Sequence, residues 1–341
     1  MTVTAKKEEL INLVKGKKVQ IVCHWDADGV CSGALIYHII KDHADEVFAT
    51  SKGDVFIVTP EDVNEQAELI ICADIAPGLE LDPQKVIYID HHPNANKDLF
   101  LKTIHNDNEQ SCTLLIYNEI IPDTENPYDI FLVLLGYFGD GGNRDEIPLE
   151  LHMKANKHMP KLMQKRDSMF SNGYYYPIER YVSALNTGKR MLWKGDVPLS
   201  LLIDIEHYEP FINGTHHTAQ LLETFKRELK ELYNMNIELN ETDKFHYSII
   251  ECKANVQGVL CARHIKDKPI IVMNKVNGNV IGSMRVPDHV DFDAGKFLSQ
   301  FNGKIDSYVG GGHEKAGGFT LKFEDFEEFS KLLLDQNKNN N

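Results

Sequence analysis

The sequence predicts an α/β protein: an N-terminal open, mostly parallel sheet with helices on both faces, a helical connector, and a smaller C-terminal α/β domain. Three observations lead there. Short, nearly continuous apolar runs recur in the first half, as expected of parallel strands buried on both faces. Helically spaced segments separate those runs, which gives the alternation of an open α/β sheet. The 341 residues also suggest two domains rather than one.

Leu10, Ile11, Leu13 and Val14, set among lysines and glutamates, predict a helix over 5–15. Strands are expected at VQIVCH (19–24), VFIVT (55–59), LIICAD (69–74) and VIYID (86–90), with GALIYHIIKDHAD as a helix between the first two. SCTLLIYNEIIP (111–122) reads as a helix capped by Ser111. IFLVLLGYF (130–138) is apolar all round and reads as a buried helix. From 149 to 240 the texture is mainly helical, broken at Pro160 and ending in the amphipathic stretch 218–235. A second α/β unit follows, with strands FHYSIIEC, PIIVMNKV and NVIGSMRV and a helix near 294–301. A glycine cluster at 310–318, the strand FTLKF and the helix FEDFEEFSKLLLD complete it. The expected divisions are therefore 1–190, 191–240 and 241–336, with 337–341 as a frayed tail.

Composition narrows the function classes. Apolar residues at 42% and charged residues at 26% exclude a disordered, collagen-like or disulfide-scaffold chain. No apolar run reaches the roughly 18 residues of a membrane span, and the N-terminus lacks the pattern of a secretory signal. Cys23, Cys31, Cys72, Cys112, Cys252 and Cys261 form no C-x-x-C pair, so reduced, buried thiols and a cytoplasmic location are expected. With 36 Lys+Arg against 51 Asp+Glu the net charge is −15, and no basic stripe of a duplex-binding protein is present. A phosphate-bearing substrate would then need bound divalent ions to reverse the local field.

Four places put Asp or His directly after an apolar segment: His24-Trp25-Asp26-Ala27-Asp28-Gly29, Asp74, Asp90-His91-His92, and Asp140. Ligands of open parallel sheets bind beyond the carboxyl ends of the strands. The first three places converge there by strand geometry, and the fourth joins them if its helix ends at the same edge. Any one of them alone is more often a cap or turn residue, but four in order are a strong signal. Five carboxylates and two or three imidazoles cannot share a crevice unpaired. Divalent metal is the simplest compensation, and imidazole with carboxylate suits Mn, Fe, Co or Zn. The excess of ligands favours two ions, about 3.5–4 Å apart, that activate a water for in-line attack on phosphorus.

The set H-x-D-x-D-G (24–29), D (74), D-H-H (90–92) and G-D (139–140) resembles the four motifs of the DHH phosphoesterase superfamily. GGGHEKAGGF (310–319) is similar to the G-G-G-H signature of the DHH-associated C-terminal domain found in RecJ-like and nanoRNase-like enzymes. The resemblance implies one ion on His24, Asp26 and Asp74, and a second on Asp28, Asp74, His91 and Asp140. It places His92 beside the substrate phosphate and gives Asp90 the task of orienting a histidine. Relatives often carry a second Asp closer to the G-D than Asp145 is here, and Asp145 is expected to share the role of Asp140. In the second domain the resemblance implies substrate contacts from Gly310, Gly311, Gly312, His313, Lys315 and Arg285. Asn186 and Arg190, in RYVSALNTGKR, resemble a further substrate-contacting segment, with a solvated helix end as the second reading.

The resemblance implies an Mn²⁺-dependent phosphodiesterase or exonuclease, with Mg²⁺ or Co²⁺ as alternative metals. Its expected substrate is single-stranded nucleic acid or a short oligonucleotide, cut from an end to release nucleoside 5′-monophosphates. The alternatives are a phosphatase of small molecules (pyrophosphate, polyphosphate, 3′-phosphoadenosine 5′-phosphate or dinucleotides) and a non-catalytic replication scaffold. A replication or repair protein partner and a homo-oligomer are both compatible with the sequence.

Overall fold

Val19, Ile21 and Cys23 alternate with Gln20 and Val22 along Lys18–His24 (β1), which sets the two faces of the first sheet. The computed structural model describes residues 3–53, 57–167 and 173–335. The chain divides into two compact units, Met1–Lys226 and Arg227–Asn341.

In the first unit the helix Val3–Val14 (α1) precedes β1. Ala27–Ile40 (α2) then leads to Glu46–Lys52 (β2), Leu69–Ala73 (β3), Val86–Asp90 (β4) and Lys102–His105 (β5). These five strands form one sheet in the order β2-β1-β3-β4-β5, and every pair is parallel. Cys112–Glu119 (α3), Pro127–Gly139 (α4), Leu149–His158 (α5), Glu179–Leu185 (α6) and Asp196–Asp204 (α7) follow. Ser111 caps α3 by accepting a hydrogen bond from the Leu114 N–H.

The α/β class is as expected, but its α-helices gather on one face. There Ile21, Ile71, Ile87 and Ile89 join the large core with residues of α1 to α4. On the opposite face Val22, Ile70, Cys72, Val86 and Tyr88 meet Val58, Ile75, Leu81 and Phe100, carried by segments with short 3-10 helices. The expected strand 55–59 lies partly outside the described residues. Its described part, Ile57–Val58, pairs only with Ala76–Pro77 in a separate two-stranded sheet.

The long helix His217–Tyr233 (α8) carries the division between the units. In the second unit His246–Ile250 (β6), Gln257–His264 (α9), Ile270–Val276 (β7) and Asn279–Arg285 (β8) are followed by Ala294–Ser299 (α10), Val309–Gly312 (β9), Ala316–Lys322 (β10) and Phe326–Asp335 (α11). With the short strand Asn240–Glu241 they form a six-stranded sheet in which only β6 and β7 run parallel. The expected tail lies outside the described residues. All six cysteines are buried free thiols. Among the described residues no helix is long and apolar enough to cross a membrane.

Candidate active site

The strand order reverses direction between β1 and β3, and such a switch point opens a crevice beyond the strand ends. His24 is the last residue of β1, Asp74 directly follows β3, and Asp90 closes β4 with His91 and His92 after it. Asp26 is the N-cap of α2 and Asp28 sits in its first turn. Asp140 is the C-cap of α4. All eight of these sequence-predicted residues meet in the crevice.

Their ligand atoms fall into three overlapping groups, each within 4.8 Å: His24–Asp26–Asp74, Asp28–His91–Asp140, and Asp74–Asp90–His91–His92. Asp74 belongs to two of them. Its Oδ2 lies 3.6 Å from His24 Nδ1, and its Oδ1 lies 3.5 Å from His91 Nε2. His24 Nδ1 is also 3.1 Å from Asp26 Oδ1, and His91 Nε2 is 3.5 Å from Asp140 Oδ2 and 3.8 Å from Asp28 Oδ2. Asp145 joins none of these groups and instead accepts from the Tyr174 hydroxyl at 2.6 Å.

Local packing holds these groups in place. Asp28 accepts from the N–H groups of Cys112 (2.6 Å) and Thr113 (3.1 Å) at the start of α3. Gly136 of α4 leaves the room this needs, since a Cβ there would stand 2.5 Å from Asp28 Oδ1. Gly29 does the same for the β1–α2 junction, where a Cβ would meet the His24 carbonyl oxygen at 2.3 Å. His91 Nδ1 faces the Glu109 carbonyl at 3.1 Å, which fixes the ring and turns Nε2 toward the acids. Asp90 accepts from the Tyr88 hydroxyl (2.9 Å), from the His91 and His92 N–H groups (2.6 and 3.0 Å), and faces His92 Nδ1 at 2.8 Å. Asp74 has φ of 60°. Left-handed backbone in a residue other than glycine is a mark of functional sites, and Asp tolerates it better than most.

The electrostatics match a site built for cations. Burial disfavours a charged His24 ring, yet hydrogen bonds to Asp26 and Asp74 outweigh it and lift its pKa to about 10. His91 is likewise opposed by burial but raised to about 9 by Asp74 and Asp28. Burial and the neighbouring Asp74 push Asp28 well up. Asp140 rises to about 6, chiefly through burial that His91 only partly offsets. Asp74 Oδ1 and His91 Nε2 are buried and make no hydrogen bond. Oxygen and imidazole donors this close to one another, paired only through contacts of 3.5 Å or more, fit divalent cations.

Three contributors were not visible as motifs. Lys189 Nζ stands 3.4 Å from Asp26 Oδ2. Tyr88 and the Glu109 carbonyl orient the histidines, and nothing in the sequence marks either. Asn186, expected to face substrate, accepts from the Ala27 N–H at 3.2 Å and so pins the start of α2. Arg190 lies beyond it on the π-helical turn Gly188–Leu192.

The sequence matches no curated protein. The model of the DHHA1 domain matches residues 249–339. Exonuclease RecJ bound to manganese superposes with a TM-score of 0.66 at 16% identity, covering 100% of this chain and 95% of that one. RecJ from Thermus thermophilus in complex with Mn²⁺ gives 0.64 at 18% identity, covering 99% of this chain, which spans only 54% of that one. CDC45 from Entamoeba histolytica gives 0.51 at 12% identity over 97% and 98% of the two chains. The chain has the fold of these RecJ structures, and its residues 249–339 match the DHHA1 domain model.

Within residues 249–339 the glycine cluster forms a hairpin. Gly310, Gly311 and Gly312 form edge strand β9, pairing with Phe319, Gly318 and Gly317 of β10. The Gly310 N–H donates to Asn302 Oδ1 at 2.9 Å. The carbonyls of His313 and Glu314, at the hairpin tip, accept from the Gly295 and Ala294 N–H groups that open α10. The His313 side chain is exposed. Lys315 Nζ donates to the Val290 carbonyl at 2.7 Å and lies 3.1 Å from Glu314. Arg285 sits opposite Ala316 in the sheet register, beside the same tip, and donates to the Met284 carbonyl at 2.9 Å.

Proposed function

We propose that this protein is a metal-dependent phosphodiesterase that degrades short single-stranded nucleic acid from an end and releases nucleoside 5′-monophosphates. The observation that carries the reading is the division of the Asp74 carboxylate, one oxygen toward His24 and the other toward His91. A carboxylate so placed can bridge two cations, one on His24, Asp26 and Asp74, the other on Asp28, Asp74, His91 and Asp140. When bound, such ions supply Lewis acidity and a nucleophilic water near neutral pH. Manganese is the first candidate, in keeping with the RecJ structures that carry it.

The chain's own residues do the remaining work. Asp90 is held down in pKa by its hydrogen bonds to His92, against the effect of burial. In turn it raises the His92 pKa and fixes its Nδ1, leaving Nε2 as a donor toward a leaving oxygen. Lys189 offsets part of the charge on Asp26. His313 and Arg285 are the candidates for capturing a substrate phosphate in the DHHA1 domain.

The test is a product profile with Mn²⁺ and 5′- or 3′-labelled DNA and RNA of several lengths. Mononucleotides released progressively from one end are expected. Turnover of pyrophosphate without any oligonucleotide turnover would contradict the proposal.

A further inference from the structure

We infer that a cavity beside the acidic cluster is a nucleobase subsite, which takes the flat ring carried by the hydrolysed phosphoester and rejects a phosphate chain. The inference rests on the phosphodiesterase reading and names what that site holds next to the phosphorus.

The cavity lies within the first unit and measures about 780 Å³. That falls inside the range of about 300–1,000 Å³ typical of small-molecule sites. His24, Asp74, Asp90 and His92 belong to its lining, so a group bound there abuts the candidate cation site. Ile57, Ile75, Pro77, Leu79, Tyr88 and Pro93 supply its apolar surface. The small sheet Ile57–Val58 with Ala76–Pro77 builds part of this wall and runs directly on from Asp74 through Ile75. One residue, Ile75, therefore separates that wall from Asp74.

Charge selects the occupant. Among the described residues that line the cavity there is no Lys or Arg, and the one charged side chain outside the acidic cluster is Glu80. Beyond the histidines and the candidate cation site at its inner end, a di- or triphosphate chain extending into the cavity would meet Glu80 and no Lys or Arg among the described lining residues. A nucleobase brings no negative charge. Its faces suit the apolar surface, and its polar edge suits the amides of Asn94 and Asn96. Leu79 is 68% exposed and Ile57 46% exposed, large apolar side chains that an aromatic ring would cover.

The experiment is saturation-transfer NMR on the full chain with Mg²⁺, observing adenosine 5′-monophosphate and ribose 5-phosphate, with tripolyphosphate added as a competitor. Stronger saturation of the base protons than of the ribose protons is expected. Adenosine 5′-monophosphate should bind at least about tenfold tighter than ribose 5-phosphate. Leu79→Glu and Ile57→Glu, both at exposed positions, should erase that difference and leave ribose 5-phosphate binding unchanged. Equal affinities, indifference to both variants, or tripolyphosphate binding more tightly than the nucleotide would each overturn the subsite. The two readings fail differently. Base-dependent binding without trinucleotide hydrolysis removes the phosphodiesterase and keeps the cavity. Hydrolysis that is equally fast with abasic residues at either side of the scissile phosphate removes the cavity and keeps the phosphodiesterase.

Discussion

Asp74 stands between two histidines from different strands, its Oδ2 3.6 Å from His24 Nδ1 and its Oδ1 3.5 Å from His91 Nε2. Asparagine preserves its volume and tolerates its left-handed backbone. Asp74→Asn should therefore fold normally, weaken both cation sites and lower hydrolysis on the order of 100- to 1,000-fold. Manganese calorimetry and a trinucleotide assay on the same preparation check this.

Asp28 and Asp140 would serve the same cation in the proposed site but differ in what else they do. Asp28 closes two buried N–H groups of α3, so Asp28→Ala should cost about 1–3 kcal/mol of stability even without metal. The Asp140 side chain is 34% exposed at a helix end, and Asp140→Ala should leave the melting temperature in EDTA unchanged. Both should weaken manganese binding. Thermal melts with and without chelator separate the two roles.

Asp90 is predicted to act through His92. Asp90→Asn and His92→Ala should each lower kcat about 10- to 100-fold with little change in manganese affinity. The double variant should lose little more than either single one, because the two form one hydrogen-bonded unit. Additive losses would mean that Asp90 works elsewhere.

The raised histidines set a pH dependence. In the metal-free protein His24 and His91 hold their protons up to about 10 and about 9, above the ordinary value of 6.5. Their ion pairs thus add stability that is complete below pH 6.5 and is lost as pH rises through 9 to 10. Cations compete with those same protons, so manganese affinity should rise from pH 6.5 toward pH 9 with protons released on binding. Calorimetry in buffers of different ionisation enthalpy measures the release.

His313 offers a test confined to the DHHA1 domain. It is exposed at the hairpin tip, so His313→Ala should leave folding and manganese binding intact and raise KM for an oligonucleotide about tenfold. An unchanged KM would remove the hairpin from substrate capture.

The sequence displayed the buried half of the first sheet and hid its edges. β1, β3 and β4 are continuous apolar runs because both their faces are covered. β2, EVFATSK, is an edge strand exposed along one side, so its apolar pattern is too sparse to read. β5, at the other edge, has four residues. The acidic cluster was legible because strand ends bring their next residues together whatever the loops do. Its supports were not. The Tyr88 hydroxyl, the Glu109 carbonyl and the α3 amides act through contacts that depend on packing between distant segments, and single residues of those kinds carry no pattern.

Anomalous diffraction at the manganese edge, from crystals grown with Mn²⁺, tests the central claim most directly. Two peaks about 3.5–4 Å apart, with one oxygen of Asp74 on each, are the expected result. A single peak, or none within reach of both His24 and His91, would contradict it.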